Sequence, residues 1–103
     1  MKLLTKELRR KLPKLYEQEK KGFEALAYIK FFDIFSQWTW YGTEFDGEDT
    51  FFGLVHGFEE ELGYFSLSEL KSLGSRIERD LYFTPTPISK LMVANKLQES
   101  KAA

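Results

Sequence analysis

The segment from Gln37 to Phe58 constrains the fold most strongly, because it has the pattern of a β-hairpin. Two runs rich in aromatic and β-branched residues flank the turn sequence Asp46-Gly47-Glu48-Asp49. An Asp-Gly turn between two such runs is a strong signal for two antiparallel strands. The cross-strand pairs that this turn predicts are Phe45 with Thr50, Thr43 with Phe52, and Tyr41 with Leu54.

Two glycines lie opposite each other in this register, Gly42 on the first strand and Gly53 on the second. Glycine inside a strand weakens it and commonly marks a bulge or a close approach by another group. A sheet in a chain of 103 residues needs at least one covered face. We therefore expect a packed helix at these glycines in preference to a ligand.

The rest of the chain alternates short helical and strand-like patterns. The predicted elements are a helix capped by Thr5 that ends near Leu12, a strand from Ala25 to Ile34, a turn at 59–61, a strand from Leu62 to Phe65, a helix capped by Ser66 and ended by Gly74, an edge strand within 76–83, and a last helix capped by Thr86 and opened by Pro87. Short connections between successive strands favour a meander. The sequence thus predicts an α+β fold, in which N-terminal, middle and C-terminal helices pack on an antiparallel sheet of four to five strands. We expect one domain over residues 1–97 and a flexible tail over 98–103.

Composition excludes several classes of site. The chain has no cysteine and one histidine, so disulfides, thiolate zinc sites, cysteine nucleophiles and multi-histidine metal sites within one chain are ruled out. No apolar run is long enough to span a membrane, and no signal peptide is recognisable. We expect no membrane partner and no cofactor, and the absence of cysteine is compatible with an intracellular location.

Charge is segregated along the sequence. Residues 31–70 hold nine Asp/Glu and no Lys or Arg, whereas residues 1–30 hold nine Lys/Arg against four Asp/Glu. The basic surface of the first helix, with Arg9, Arg10 and Lys11, predicts a docking face for an unknown protein or nucleic acid. The alternative is an ordinary solvated helix face. Trp38 and Trp40 could stack on bases, but their segment has no basic residue, which favours a place in the core.

Carboxylates cluster at one end of the hairpin. Glu44, Asp46 and Asp49 supply the oxygen ligands that a divalent metal prefers, and a metal-dependent hydrolase or nuclease-like enzyme is therefore an alternative function. The competing interpretation is that an acidic, glycine-containing turn only serves the hairpin geometry. Glu44 shares the tryptophan face in the predicted register and needs a partner if it is buried.

The arginines near the C-terminal part are candidates for two roles. Arg76 or Arg79 is the predicted partner of Glu44. Both also belong to a run of alternating charge with Glu78 and Asp80, which indicates an ion-pair cluster on an edge strand or, alternatively, phosphate binding.

The hairpin also contains the histidine of the chain. His56 shares a predicted face with the hydroxyls of Thr39 and Thr43, so a nucleophile–base pair is conceivable. A structural or exposed histidine is the alternative.

Four blocks of sequence carry a resemblance: M-K-L-L-T-K-E-L-R-R-K-L-P, W-T-W-Y-G-T-E-F-D-G-E-D-T-F-F-G-L-V, G-Y-F-S-L-S-E-L and I-E-R-D-L-Y-F. In this order they resemble an uncharacterised bacterial family of unknown function that is often carried on plasmids and other mobile elements. The resemblance implies a small stand-alone accessory protein that is cytoplasmic, and it supplies no catalytic residues. This chain differs from the family pattern at His56-Gly57 and in a shortened segment at 71–76.

Three functions follow as hypotheses. The first is a non-enzymatic module that binds a protein or nucleic acid. The second is the metal-dependent enzyme, and the third is a structural role through self-association. We expect a monomer or a weak homodimer.

Overall fold

The structure, a computed structural model, describes residues 2–93. Its main sheet is antiparallel and has five strands in the order β5-β4-β3-β2-β6, with the bounds β2 Ile29–Asp33, β3 Thr39–Phe45, β4 Thr50–His56, β5 Glu60–Ser66 and β6 Ile77–Arg79. A second sheet pairs β1 Leu26–Ala27 with β7 Thr86–Pro87. The helices are α1 Lys6–Lys11, α2 Leu67–Ser72 and α3 Ile88–Leu91, with two 3₁₀ segments at Glu19–Glu24 and Gly74–Arg76. The predicted α+β fold with an antiparallel meander is confirmed.

Apolar side chains cover both faces of the sheet. On one face, Phe31 meets Phe51 and Phe65 edge-on, and Phe51 stacks on Phe65. This phenylalanine core packs against leucines from the N-terminal segment and from α2. On the other face, Tyr41 and Leu54 pack against Ile88 of α3 and the alanines of the β1 region. The sheet therefore lies between two layers, as an isolated sheet of this size requires.

The helix ends follow the capping residues. The Thr5 hydroxyl accepts the Leu8 N–H at 3.2 Å, and the Ser66 hydroxyl accepts the Glu69 N–H at 3.1 Å. Gly74 has a φ of 73°, which supplies the left-handed residue that ends α2. These three predictions from the sequence are confirmed.

The hairpin register is correct in one half and wrong in the other. Tyr41 pairs with Leu54 as predicted, but a bulge at Thr43 shifts the rest of the ladder. Towards the turn, Glu44 pairs with Phe52 and Phe45 with Phe51. A bulge inserts one unpaired residue and so exchanges the faces of the residues beyond it. The aromatic ring of Phe45 thereby joins the phenylalanine core, and the carboxylate of Glu44 moves to the opposite face.

The predicted helix contact at the paired glycines is also wrong. A methyl group at Gly42 would lie 2.8 Å from Cγ2 of Ile29 and 3.0 Å from Cδ1 of Phe51. At Gly53 it would overlap the carbonyl oxygen of Tyr41. Groups of the sheet itself, not a helix or a ligand, fill the space at both glycines.

Three element boundaries differ from the prediction. The first strand is divided at Tyr28 into β1 and β2. Glu60 and Glu61 lie in β5 and not in a turn. Thr86 pairs in β7, and its hydroxyl donates to the Thr84 carbonyl at 2.7 Å, so it does not cap α3. The predicted tail at 98–103 lies outside the described residues.

Candidate functional site

The strand β5 forms one edge of the main sheet. Within residues 2–93 its strand partner is β4 alone. The Leu67 N–H donates to the Asp49 carbonyl at 2.8 Å, which fixes the alternation of hydrogen-bonded and non-hydrogen-bonded pairs along the ladder. In that alternation the backbone groups of Leu62 and Tyr64 face away from β4. The described part of the chain thus presents an open row of backbone donors and acceptors.

A groove lies on one face of this edge strand, and we call it the tyrosine groove. Its volume is about 340 Å³, and its lining is mostly apolar. The lining side chains that define it are Tyr16, Gln18, Glu19, Phe23, Thr43, Glu44, Phe52, Leu62, Tyr64 and Ile88. The volume falls within the range of small-ligand sites.

Glu44 lies at the floor of the tyrosine groove and is only 5% exposed. Its Oε1 accepts the Tyr16 N–H at 2.9 Å and its Oε2 accepts the Gln18 N–H at 2.8 Å. Tyr16 has a φ of 73°, a left-handed conformation that costs free energy for any residue with a side chain. The carboxylate therefore holds a strained loop against β3.

Gln18 completes this anchor. Its side-chain amide donates to the carbonyls of Leu26 and Thr43, each at 2.8 Å, and its Oε1 accepts the Leu26 N–H at 2.8 Å. The side chain is buried, and both of its polar ends are satisfied. The loop that forms one wall of the groove is thus tied to β1 and β3.

Two tyrosines meet at the mouth of the tyrosine groove. The hydroxyl of Tyr64 donates to the hydroxyl of Tyr16 over 3.5 Å. This contact raises the pKa of Tyr64, and partial burial and the negative charges of Glu44 and Glu19 raise it further. The wall around Glu44 is therefore aromatic and electronegative.

A second groove lies on the other face of β5, and we call it the tryptophan groove. Its volume is about 280 Å³, and its lining residues are Trp38, Trp40, Val55, Gly57, Phe58, Glu59, Glu61, Gly63, Tyr64, Phe65 and Glu69. Trp38 lies so close to the backbone of Gly57 that a methyl group there would overlap its ring. Phe58 is 96% exposed and meets Trp38 edge-on at 5.3 Å.

Both grooves are acidic. The lining of the tyrosine groove includes Glu19 and Glu44, and that of the tryptophan groove includes Glu59, Glu61 and Glu69. Neither lining, as the described residues define it, contains Lys or Arg. The segregation of charge seen in the sequence is therefore concentrated around the edge strand β5.

The predicted tryptophan pair is divided between core and surface. Trp40 is buried in the phenylalanine core, and Trp38 is half-buried in the groove at a ring distance of 5.8 Å. Glu44 is not on this face, contrary to the prediction, because the bulge at Thr43 exchanges the faces.

Arg76 and Arg79 are not partners of Glu44. Arg76 donates through Nε and Nη2 to the carboxylate of Asp33, the shortest distance being 2.8 Å. Arg79 donates through Nη1 to the carbonyls of Lys2 and Leu3, at 2.6 and 2.9 Å. Both guanidinium groups thus hold chain segments together, Arg76 through an ion pair with Asp33 of β2 and Arg79 through backbone carbonyls of the N-terminal segment.

The basic helix is partly used inside the molecule. Arg9 donates to the Gly47 carbonyl at 2.6 Å and lies 5.5 Å from the ring centre of Phe45. Lys11 forms an exposed ion pair with Glu7 at 3.3 Å. Arg10 is exposed and lies with Arg9 beside an open groove of about 450 Å³ at the hairpin end.

The carboxylates of the predicted metal site have separate protein partners. Asp46 accepts the N–H groups of Glu48, Asp49 and Thr50 at 2.8 to 3.0 Å, and these bonds lower its pKa. Asp49 accepts the N–H and the hydroxyl of Ser68. Among residues 2–93 no group of three His, Asp or Glu is placed to hold a metal ion. Asp46 thus supports the hairpin turn, and Asp49 holds the first turn of α2.

His56 lies beside a carboxylate. Its Nε2 is 2.7 Å from Oε2 of Glu60, a contact that is an ion pair only when the imidazole is protonated. Glu60 also accepts the Val93 N–H at 2.8 Å. The predicted hydroxyl partners of His56 donate elsewhere, Thr43 to the Phe52 carbonyl and Thr39 towards the Gln37 carbonyl.

Several residues of the grooves were not singled out from the sequence, among them Tyr16, Phe23, Phe58, Leu62 and Tyr64. A signal was present at 62–64, because this exposed-edge sequence, Leu-Gly-Tyr, has no charged residue on either face of the strand. The position of Tyr16 in the groove depends on its left-handed backbone, which no local sequence pattern indicates.

Residues 3–100 match the family described as Protein of unknown function (DUF2958). The chain belongs to this family. The match covers nearly the whole sequence and agrees with the resemblance to a family of unknown function. Neither a curated protein nor a solved structure matches the chain. Among the described residues of this family member, no helix is long and apolar enough to cross a membrane.

Proposed function

We propose that the protein is a binding module that adds an extended, basic segment of a partner protein to the free edge of β5. The observation that carries this proposal is the edge of β5, which is open within residues 2–93 and has a groove on each of its faces. Addition of a strand to such an edge is an established mode of peptide recognition, in which backbone hydrogen bonds supply affinity and side-chain pockets supply specificity.

Strand geometry supports the proposal. Successive side chains of an added strand point to opposite faces of the sheet. One set would enter the tyrosine groove beside Leu62 and Tyr64, and the alternate set would enter the tryptophan groove beside Glu61.

Charge favours a basic partner. Five glutamates line the two grooves, and none of the lining side chains that the structure describes is basic. An acidic cleft attracts lysine and arginine and repels phosphate groups. Nucleic acid is therefore disfavoured at β5, and for that partner the exposed basic surface at Arg10 is the second candidate.

Self-association through β5 is disfavoured by the same charges. Pairing of two β5 edges would bring Glu60 and Glu61 of one copy against the acidic groups of the other, and like charges across strands are destabilising. We therefore propose a monomer that uses this edge for a different partner. The accessory role on mobile elements and the cytoplasmic location that the sequence suggests stay predictions.

A labelled peptide of alternating lysine and valine tests the proposal by fluorescence anisotropy. We expect binding that weakens with salt, and much weaker binding of the corresponding glutamate–valine peptide. In the variant Leu62→Pro the outward N–H is removed, while the ladder to β4 is kept, because this N–H does not face β4. We expect this variant to keep its fold and to show no binding of the lysine–valine peptide.

The matched control is Leu62→Ala, which loses the side chain and keeps the N–H. Its affinity should lie between those of the wild type and Leu62→Pro. Equal binding by all three proteins, or no binding by the wild type, would overturn strand addition at β5. Circular dichroism of each variant shows whether the sheet is intact.

A further inference from the structure

The floor of the tyrosine groove holds a carboxylate that has no cationic partner in the described chain. Glu44 is nine-tenths buried, and its observed partners are the two backbone N–H groups of Tyr16 and Gln18. The ion pairs of residues 2–93 do not include Glu44. A buried carboxylate is costly unless it is paired with positive charge and hydrogen-bonded.

The hydrogen-bonding capacity of this carboxylate is only half used. An ionised carboxylate offers about four lone-pair sites, and the two N–H groups occupy one on each oxygen. The other sites are available to a donor in the groove that Glu44 lines. A ligand with N–H donors and a positive charge would pair with the charge of Glu44 and would also occupy its remaining acceptor sites.

The walls around this floor are aromatic. The rings of Tyr16, Phe23, Phe52 and Tyr64 line the groove, and Phe52 and Tyr64 meet edge-on with their centres 5.1 Å apart. Aromatic faces around a cation stabilise it, most strongly when water is excluded. Glu19 adds a second negative charge to the lining.

We infer that the tyrosine groove is a recognition site for a lysine-type side chain, with an ammonium group at Glu44 and an apolar stem between the aromatic rings. The inference rests on the proposed function in so far as the lysine belongs to the added peptide. The groove volume of about 340 Å³ accommodates such a side chain, including its methylated forms.

The arrangement also explains why this carboxylate is held so firmly. The bulge at Thr43 turns Glu44 towards the groove, and the backbone N–H groups of Tyr16 and Gln18 each hold one carboxylate oxygen. A carboxylate in a fixed position selects a charge by geometry and loses little conformational entropy on binding.

The experiment uses a probe that is too short to add to the strand edge. Nα-acetyl-lysine methylamide is titrated into the ¹⁵N-labelled protein and compared with the norleucine analogue, which has the apolar stem without the charge. We expect the lysine probe to shift the amide resonances of Tyr16, Gln18 and Tyr64, and to bind about tenfold more tightly than norleucine. The arginine and trimethyl-lysine analogues distinguish guanidinium and methylated ammonium from the primary amine.

Two variants separate recognition from folding. Tyr64→Ala removes a half-exposed ring that the core does not need, and we expect a loss of lysine affinity of about tenfold. Tyr82→Ala removes an equally large ring that is 92% exposed outside the groove and should leave the affinity unchanged.

Glu44→Gln removes the charge and should abolish the preference for lysine over norleucine. Equal affinity for the two probes in the wild type, absence of binding, or unchanged binding by Tyr64→Ala would each overturn the inference. None of these outcomes depends on strand addition, because the probes are too short to pair with the strand edge. If Leu62→Pro loses the peptide and no probe binds, strand addition stands and the lysine site does not.

Discussion

The carboxylate of Glu44 accepts the backbone N–H of Tyr16 at 2.9 Å, and this bond joins a bulge in β3 to a strained residue 28 positions earlier. The bulge turns the Glu44 carboxylate towards the loop, and the left-handed backbone of Tyr16 turns its N–H towards that carboxylate. Since neither conformation is favourable alone, the two are maintained together by the packing around them. The tyrosine groove exists because of this pair.

Removal of the carboxylate should therefore destabilise the protein. In Glu44→Ala the N–H groups of Tyr16 and Gln18 lose their acceptor, and each buried unsatisfied donor costs about 1–3 kcal/mol. We expect the free energy of unfolding to fall by about 2–4 kcal/mol, measured by urea denaturation.

The control for this measurement is Glu61→Ala, on the exposed part of β5. Its free energy of unfolding should stay within about 0.5 kcal/mol of the wild type. A similar value for the two alanine variants would show that Glu44 contributes no more than a surface residue.

The backbone strain at Tyr16 predicts an unusual order of stability. A left-handed φ costs about 1–2 kcal/mol for a residue with a Cβ and almost nothing for glycine. Tyr16→Gly and Tyr16→Ala both lose the exposed ring, but only the alanine keeps the strain. We expect the glycine variant to be more stable than the alanine variant by about 1 kcal/mol, the reverse of the usual order. Thermal melts of the two proteins decide the question.

The general plan of the fold follows from local patterns. The Asp-Gly turn, the hydroxyl caps Thr5 and Ser66, and Gly74 each act within a few residues, so the hairpin, α1 and α2 could be predicted. The pairing of β6 with β2 joins distant segments, and the sequence does not predict it, because short connections would place β6 beside β5.

Much less of the candidate site than of the fold could be predicted from the sequence. A single unpaired residue, Thr43, exchanges the faces of Glu44 and Phe45, and no local pattern distinguishes this bulge from a regular ladder. The predicted pairing of Glu44 with Arg76 or Arg79 is wrong for the same reason, because the bulge turns the carboxylate to the other face of the sheet. Its partners there are backbone N–H groups of a loop.

The ion pair of Asp33 and Arg76 predicts a dependence of stability on acid pH. The guanidinium of Arg76 is the largest cause that lowers the pKa of Asp33 from 3.8 to about 2, and the Phe35 N–H and the Ser36 hydroxyl lower it further. Because the folded pKa lies below the unfolded one, the stabilisation is complete above about pH 4 and is lost as the pH falls towards 2.

In Asp33→Asn this part of the acid dependence should disappear. We expect the free energy of unfolding to fall less steeply between pH 4 and pH 2 than in the wild type. Arg76→Gln should flatten the curve in the same direction, since it removes the main cause of the low pKa. Parallel curves for the wild type and Asp33→Asn would contradict this assignment.

The two glycines at the centre of β4 and β5 offer a matched test of packing, because Gly53 and Gly63 are cross-strand partners. A Cβ on Gly53 would overlap the backbone carbonyl of Tyr41, whereas a Cβ on Gly63 would have no non-neighbouring atom of the described residues within 4 Å. Backbone cannot move aside as a flexible side chain can, so Gly53→Ala should lower the free energy of unfolding by about 3 kcal/mol. Gly63→Ala should be neutral or stabilising by up to about 1 kcal/mol, because alanine restricts the unfolded chain. Urea denaturation of both variants measures the difference, and equal stabilities would show that β3 and β4 do not approach each other this closely.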